Sequence, residues 1–376
     1  MPPRLRVLHV ATLLTPDGAY GGPVRVATNQ VRSLRARGHD AILVAAASGF
    51  DRLPTTWDGV PVVTFPAVRA VPGTGFAGIA APAMVRWIRT HGARADVAHV
   101  HLARDLVTLP AAAAWSRSGK PFVTQTHGMV MPSGHPFAAP LDAVLTRRVV
   151  ARASTSFALT PVEEAGLRTL FGRAATVRRL VNGVPLPAEG APLADPRHPE
   201  VLFLARLHAR KRPLAFVEAA ARLAPRFPTA RFTLVGPDEG QAAAVRERIA
   251  DLSGDARARV TWEGALPPER TARRLARSAL YVLPSVDEPF PMSVLEAMSC
   301  GVPVVVTRSC GLAAPVERAG AGAVVGEDVD DLVAAVAAFL EDPAHRRATG
   351  VRARELVRED YSMETVAEEL EQAYTR

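Results

Sequence analysis

The chain has 376 residues, 48% hydrophobic and 22% charged, with 45 basic side chains against 37 acidic ones and a formal net charge of +8. At about 100–200 residues per domain, that length fits two domains, each with apolar material for its own core. High apolar content without repeats or low-complexity tracts excludes collagen, coiled coil and disorder. Aromatics make up only 6% and no basic stripe is interleaved with them, so nucleic acid is not an expected partner. Two cysteines, Cys300 and Cys310, are too few for a disulfide framework or a four-ligand zinc site, and read as reduced thiols. No apolar run approaches the roughly 18 residues that would span a bilayer.

Residues 1–15 carry two arginines and then an apolar run, the outline of an export signal. His9 interrupts that run, and Pro16-Asp17-Gly18 stand where a small-residue cleavage site belongs, so a first strand is expected instead. From there, short runs of Val, Leu and Ala alternate with longer amphipathic segments. The first series of strands is expected at 6–11, 41–46, 60–65, 97–101, 122–126 and 156–159. A helix is expected at 24–37, with Gly38 as its C-cap. A second series starts afresh at 200–204, 230–235, 259–262, 279–283, 302–306 and 323–325. Continuously apolar strands separated by helices imply parallel sheets covered on both faces. Between the series lies a proline-rich stretch with the composition of a linker. The expected fold is α/β, with two Rossmann-like, doubly wound parallel-sheet domains. The divisions are 1–184, a linker at 185–198, a second domain at 199–358 and a final helical segment at 359–376. Ligands of such sheets bind beyond the carboxyl ends of the strands, so a cleft between the domains is the expected site.

Three stretches just past strands carry chemistry. Gly21-Gly22-Pro23 follows the first strand; glycines admit close approach of a ligand, and free amides at a helix start suit phosphate. An ordinary flexible loop reads equally well there, and the dinucleotide fingerprint G-x-G-x-x-G is not present. Arg206 and Lys211 follow the first strand of the second series, and two fixed cations suit a diphosphate. Lys211 is a lysine in a chain that otherwise uses arginine almost everywhere. The third stretch runs from Asp287-Glu288-Pro-Phe-Pro through Glu296 to Cys300-Gly301-Val-Pro. A helix beginning near Ser293 places Glu296 in its early turns, and the two glutamates can grip separate hydroxylated parts of one ligand. Asp328, Asp330 and Asp331 precede a helix at 332–340 and read as capping residues rather than metal ligands.

Taken together, these strings resemble the retaining glycosyltransferases of family 4, which have the GT-B fold. They are Gly21-Gly22-Pro23, Asp96-Val-Ala-His-Val-His101, Thr126-His127-Gly128, Asn182-Gly183, Arg206 with Lys211, Gly236-Pro-Asp238, Trp262-Glu-Gly264 and the Glu288-to-Glu296 string. The resemblance covers nearly the whole chain, including a last stretch through Tyr374 like the family's C-terminal helix that crosses back to the first domain.

The resemblance implies that Arg206 and Lys211 hold the donor diphosphate, with backbone help from Gly21 and Gly22. Glu296 would bind the ribose and Glu288 the donor sugar. Gly236, Trp262 and Gly264 would flank the base, with Pro291, Met292, Ser293 and Val294 also at the donor. His127 would lie beside donor sugar and acceptor, with His101 and Met129 on the acceptor side. Pro289 and Pro291 stand where the family often has glycine, as do Ala205 and Arg212, and none of these removes a side chain given a role. The implied reaction is retaining, needs no metal and no cofactor, and uses the nucleotide-sugar as co-substrate. The expected donor is a UDP-sugar such as UDP-GlcNAc or UDP-Glc. The expected acceptor is a hydroxyl, on a cyclitol, aminocyclitol or other secondary metabolite; assembly of a cell-envelope or lipid-linked glycan is the alternative. A non-catalytic sugar-nucleotide binding protein is the reading from another class, and a phosphorylase or sucrose-type synthase is the nearest enzyme rival. The Arg- and Ala-rich composition points to a GC-rich bacterium. The cytoplasm is the expected location, with at most peripheral membrane contact through Arg147, Arg148 and Arg152, and the oligomeric state is left open.

Overall fold

A computed structural model describes residues 3–16, 21–187, 195, 197–267 and 270–375. The chain divides into two compact units, one of Met1–Gly183 with Met363–Arg376 and the other of Val184–Ser362. Most of the proline-rich linker, and residues 17–20 of the first glycine loop, lie outside the described residues.

Unit one is built on β1 (Arg6–Leu14), β2 (Asp40–Ala47), β3 (Thr56–Trp57), β4 (Val60–Pro66), β7 (Val97–His101), β8 (Phe122–Gln125), β9 (Thr155–Ala158) and β10 (Val177–Arg179). A two-strand ribbon, β5 (Val68–Arg69) with β6 (Ile79–Ala80), stands apart. The sheet order is β10-β9-β8-β7-β1-β2-β4-β3, parallel except for β3. Along β1, Leu8 and Val10 enter one core layer while Val7 and Ala11 enter the other. Alternation of side chains across a strand, with both sides apolar, is what buries a sheet on both faces. Edge strands β3 and β10 have no apolar run to betray them; β10 is three residues long and two are arginines.

The helix Gly21–Ala36 begins a turn earlier than the sequence pattern indicates, taking in both glycines, because Pro23 is compatible with a first helical turn. At the other end of the chain, the helix Met363–Tyr374 buries Met363, Val366, Leu370, Ala373 and Tyr374 in one layer of unit one. Glu371 fixes it, accepting from the Arg37 guanidinium at 2.6 Å and contacting His39 Nε2 at 2.9 Å. Residues before that helix belong to unit two, where Val184 donates to the Tyr361 carbonyl at 2.9 Å.

Unit two holds β11 (Glu200–Leu204), β12 (Arg231–Val235), β13 (Val260–Trp262), β14 (Leu280–Leu283), β15 (Val304–Thr307) and β16 (Gly322–Val325). Its order is β13-β12-β11-β14-β15-β16, parallel throughout. Counted from its own first strand this is 3-2-1-4-5-6, with the winding reversing between β11 and β14. In unit one the reversal falls between β1 and β7. At such a point the loops leaving two neighbouring strands turn to opposite faces and leave a crevice for ligand. The helix Val329–Glu341 opens at Asp328, whose side chain makes no capping hydrogen bond. Asp331 instead accepts from Gly326 N–H at 3.2 Å and Asp330 pairs with Arg222 at 2.5 Å, so the acids there are structural by contacts other than the expected cap.

Candidate active site

In unit one the polar interruptions of the strands converge. Parallel register sets His9 of β1 opposite His99 of β7. Two residues on, His101 shares the face of His99, and their rings stack at 4.7 Å with 4° between planes. His101 then stacks on His127, 5.1 Å away, just beyond β8. His9 Nδ1 lies 3.1 Å from His101 Nε2, and His101 Nδ1 lies 2.8 Å from His127 Nε2. His9, His99 and His101 are fully buried. Burial pushes all four imidazoles down, His127 to about 3, so the stack is neutral across the physiological range.

The turn that carries His127 is held under strain. His127 has φ +50°, in the left-handed region a side chain rarely adopts, and Gly128 follows at φ +75°. Glu163 over-determines this geometry: its buried carboxylate accepts from Thr126 Oγ1, from Gly128 N–H at 2.5 Å and from Leu159 N–H at 2.6 Å. The sequence gives Glu163 another meaning. Thr160-x-x-Glu163 has the form of a capping box, and Thr160 Oγ1 does accept from Glu163 N–H at 3.1 Å. The carboxylate goes to the His127 turn instead. Met129 closes that turn by donating to the Thr126 carbonyl at 2.8 Å. Arg104 then pins the segment beyond, bonding the Met131 carbonyl at 2.7 Å and both carboxylate oxygens of Asp142 at 2.9 and 2.7 Å. His101, expected on the acceptor side, is fully buried with both ring nitrogens engaged, one by His9 and the other by the partly exposed His127. Gly22 is the second residue of its helix, and no atom of the described residues lies within 4 Å of where its side chain would stand.

In unit two the expected residues gather at the carboxyl ends of β11, β12 and β14. Lys211 Nζ bonds Glu288 Oε2, with Arg210 3.7 Å from the same oxygen. The side chains of Lys211 and Glu288 are 12% and 9% exposed, so this is a largely desolvated pair. Arg206 pairs instead with Glu239 and is 54% exposed, a charge held in water. The Glu288 loop is stitched down on several sides. Val286 donates to the Arg210 carbonyl at 2.9 Å, and Asp287, at φ +50°, donates to Ser309 Oγ at 3.1 Å. Gly311 donates to the Glu288 carbonyl at 2.8 Å, and a side chain at Gly311 would collide with the Pro289 carbonyl. Pro289 therefore occupies a tight, defined place in the loop. Pro291 caps the helix Met292–Ser299, whose first amides, at Met292 and Ser293, have no carbonyl a turn earlier to receive them. Ser293 Oγ accepts from the buried Tyr281 hydroxyl at 2.7 Å. Val294 is buried, and so is Glu296 at 8% exposure.

Gly236, at φ +148°, lies so close to β11 that any side chain would collide with the Ala205 carbonyl. It donates to the Gly264 carbonyl at 2.7 Å and accepts from Trp262 Nε1 at 3.0 Å, so the three expected base-flanking residues form one bonded cluster. One face of Trp262 is covered by the Arg246 guanidinium at 4.6 Å. Burial pushes both cysteine thiols up to about 11, leaving them unreactive. Among the described residues no group of three or more His, Cys, Asp or Glu side chains is placed to hold a metal, and no helix is long and apolar enough to cross a membrane.

Comparison with known proteins agrees with this division. Residues 21–183 match the glycosyl transferase 4-like domain and residues 190–356 match glycosyl transferases group 1. The chain is 31% identical over 185 residues to D-inositol 3-phosphate glycosyltransferase of Rhodococcus opacus, 48% of this chain and 41% of that protein. It is 36% identical over 172 residues to the enzyme of the same name in Pseudarthrobacter chlorophenolicus, 43% and 40% of the two chains. In these matches the chain spans about two fifths of the relatives' own length. Among solved structures, Anabaena HepE in complex with UDP and glucose superposes with a TM-score of 0.74 at 19% identity, covering 99% of this chain and 100% of that one. A point mutant of S. aureus TarM, in complex with fondaparinux, α-GlcNAc-glycerol and UDP, does so at 0.75 and 11%, covering 99% and 100%. At those identities the likeness is one of fold, the GT-B fold. The chain belongs to the group 1 glycosyltransferases, with a family-4-like first half.

Proposed function

We propose that the protein is a retaining, metal-independent glycosyltransferase that moves a sugar from a UDP-sugar to a hydroxyl of a cyclitol or similar small acceptor. The observation that carries the reading is the buried Lys211–Glu288 pair at the point where the winding of unit two reverses. A fixed ammonium in a largely dry site stabilises charge that builds on a leaving diphosphate, and its carboxylate partner is the group a sugar hydroxyl meets there. Arg206, exposed and bonded among the described residues to the surface Glu239, can exchange that partner for phosphate. Glu296 binds the ribose, the helix start at Pro291 to Val294 supplies amides to the diphosphate, and Gly236, Trp262 and Gly264 border the base. The roles given to the amides of Gly21 and Gly22 at the diphosphate and to His127 at the donor sugar rest on the family resemblance.

In the reaction the anomeric carbon's bond to the diphosphate oxygen breaks and the acceptor oxygen bonds on the same face. The acceptor's proton passes to the departing phosphate oxygen, so no side-chain base is required. The cyclitol acceptor draws support from the inositol-phosphate enzymes among the relatives. A glycan of the cell envelope is the second reading, favoured by Phe137 and Val144, 69% and 62% exposed, on the segment leading to Arg147 and Arg148.

Incubation with UDP- and GDP-sugars and a panel of cyclitols, cyclitol phosphates and lipid-linked sugars tests this. Release of nucleoside diphosphate with a new α-glycoside, undiminished by EDTA, is the expected result. Donor binding without turnover on any acceptor favours the binding-protein reading. Loss of turnover in EDTA overturns the role given to the cations.

A further inference from the structure

Unit one gathers charge in a place the reaction does not use. Between Asp105 and Glu163 the chain has five arginine or lysine side chains and one acid, Asp142, which is committed to Arg104. Three of those arginines, Arg117, Arg148 and Arg152, line one cavity of about 130 Å³, together with Ser116, Leu145 and Val149. Elsewhere in the unit arginines are set against carboxylates: Arg32 with Asp58, Arg37 with Glu371 and Arg168 with Glu164. Among the described residues none of the three cavity arginines has an ion pair or a hydrogen bond. Three like charges around so small a space repel one another, and an anion seated among them turns that repulsion into attraction.

The elements fix where this cavity lies. Arg117 sits in the turn Ser116–Ser118 that ends the helix Thr108–Trp115, while Arg148 and Arg152 stand four residues apart on the helix Arg147–Arg152. Val149 is buried in the core and Leu145 packs against it, so the backbone that carries the arginines is anchored. A cation at a helix C-terminus complements the dipole, which accounts for Arg117 and Arg152 taken singly. It does not account for Arg148, or for three guanidiniums around one cavity. The turn leads into β8 and the helix into β9, which run parallel, so the cavity lies toward the amino ends of the sheet. His127 stands beyond the carboxyl end of β8, so this cavity is separate from the candidate active site.

We propose that Arg117, Arg148 and Arg152 form a second anion site, one that takes a phosphate group. A guanidinium is a planar fork that pairs with phosphate oxygens two at a time, and a tetrahedral phosphate can meet several forks where a carboxylate has two oxygens. At roughly 30 Å³ per water the cavity has the volume of about four waters, room for one phosphate group. Leu145 and Val149 make part of its wall apolar, which lowers the local dielectric and strengthens the attraction. The phosphate arrives on a lipid headgroup or on a soluble ester. Exposed Val144, one turn before Arg148, and exposed Phe137, at the start of the same helical run, suit the lipid source.

The test compares the full chain with two triple variants of equal charge. One is Arg117→Gln/Arg148→Gln/Arg152→Gln; the control is Arg273→Gln/Arg277→Gln/Arg318→Gln, at exposed positions of unit two. One arm is co-sedimentation with vesicles of phosphatidylcholine, alone or mixed with phosphatidylglycerol. The other is calorimetric titration with inorganic phosphate and with glycerol 3-phosphate. Phosphate also meets the cations of unit two, so the reading is the difference between the variants. The cavity variant should weaken binding in at least one arm by about tenfold or more, with the control within about twofold of the unmodified chain. The arm that shows the difference identifies the source. If the cavity triple fails to fold, Arg148→Gln alone, at an exposed position, should weaken binding by about threefold in the same arm. Equal behaviour of the cavity and control variants in both arms overturns the site.

Discussion

The two units share the order of six core strands, unit one adding β3 and β10 at its edges, and place their polar residues at the same topological position, yet they solve the electrostatics in opposite ways. Unit one assembles neutral groups: stacked imidazoles held uncharged by burial, and a carboxylate, Glu163, spent on the Thr126 hydroxyl and Gly128 amide of one turn and on the Leu159 amide. Unit two assembles charges in pairs, one largely dry at Lys211–Glu288 and one wet at Arg206–Glu239. A shared frame thus dictates where a site lies and leaves its chemistry to side chains. Neutral donors in unit one suit sugar hydroxyls, and cations in unit two suit a diphosphate.

Acid should separate the units most strongly. His9, His99 and His101 are held below the ordinary histidine value near 6.5, so below that pH the unfolded chain binds protons that the folded unit refuses. Stability is fully present above about pH 6.5 and falls by about 1.4 kcal/mol per pH unit for each such histidine as pH drops toward their folded values. The histidines of unit two, His198, His208 and His345, are all exposed. Hydrogen exchange followed by mass spectrometry from pH 7 to 4 should show unit one opening first; simultaneous opening would break the contrast.

Within unit two the dry and wet pairs should respond differently to the same change. Lys211→Ala leaves the buried Glu288 with only the more exposed Arg210, 3.7 Å away, at a cost of up to about 3 kcal/mol, and lowers turnover by about 10²–10³. Adding Glu288→Gln to Lys211→Met should recover most of the melting temperature and none of the turnover. Glu163→Ala strands the Gly128 and Leu159 amides, costing about 1–3 kcal/mol, and releases the strained His127 turn. Its signature is a fall in kcat with donor binding in unit two unchanged; altered donor affinity would count against the separation. Arg206→Ala removes an exposed pair, so stability should move by less than about 1 kcal/mol while donor affinity falls. An Arg206 variant that melts like Lys211→Ala would show that both pairs are buried in solution.

Much of unit two's chemistry was legible because it is local. Lys211 stands out in a chain of arginines, and Glu288 and Glu296 lie within nine residues on a loop and the helix it starts. Unit one hid more. His9 is visible only as an interruption of an apolar strand, and His99 and His101 only as neighbours two apart. Tyr374 lies 365 residues from His9 in the chain and shares a hydrogen bond with it. Glu163 carries a false local explanation, since its spacing from Thr160 satisfies a helix cap. Asp328 shows the converse, a capping position without the capping bond.

The sequence by itself determined the two α/β halves, their parallel sheets and the strand ends at which chemistry is found. Those follow from hydrophobic period and turn residues, which depend on near neighbours. Only the tertiary structure decided strand order, and with it that β1 lies beside β7, that His9 faces His99, and that the last helix delivers Tyr374 to them. Hydrogen-bond partners across a sheet are set by which strands adjoin and in what register, and the residues of one strand do not specify its neighbour. The charge of a buried group has the same origin. An imidazole is neutral in this protein because of what surrounds it, and the surroundings come from segments far apart in the chain.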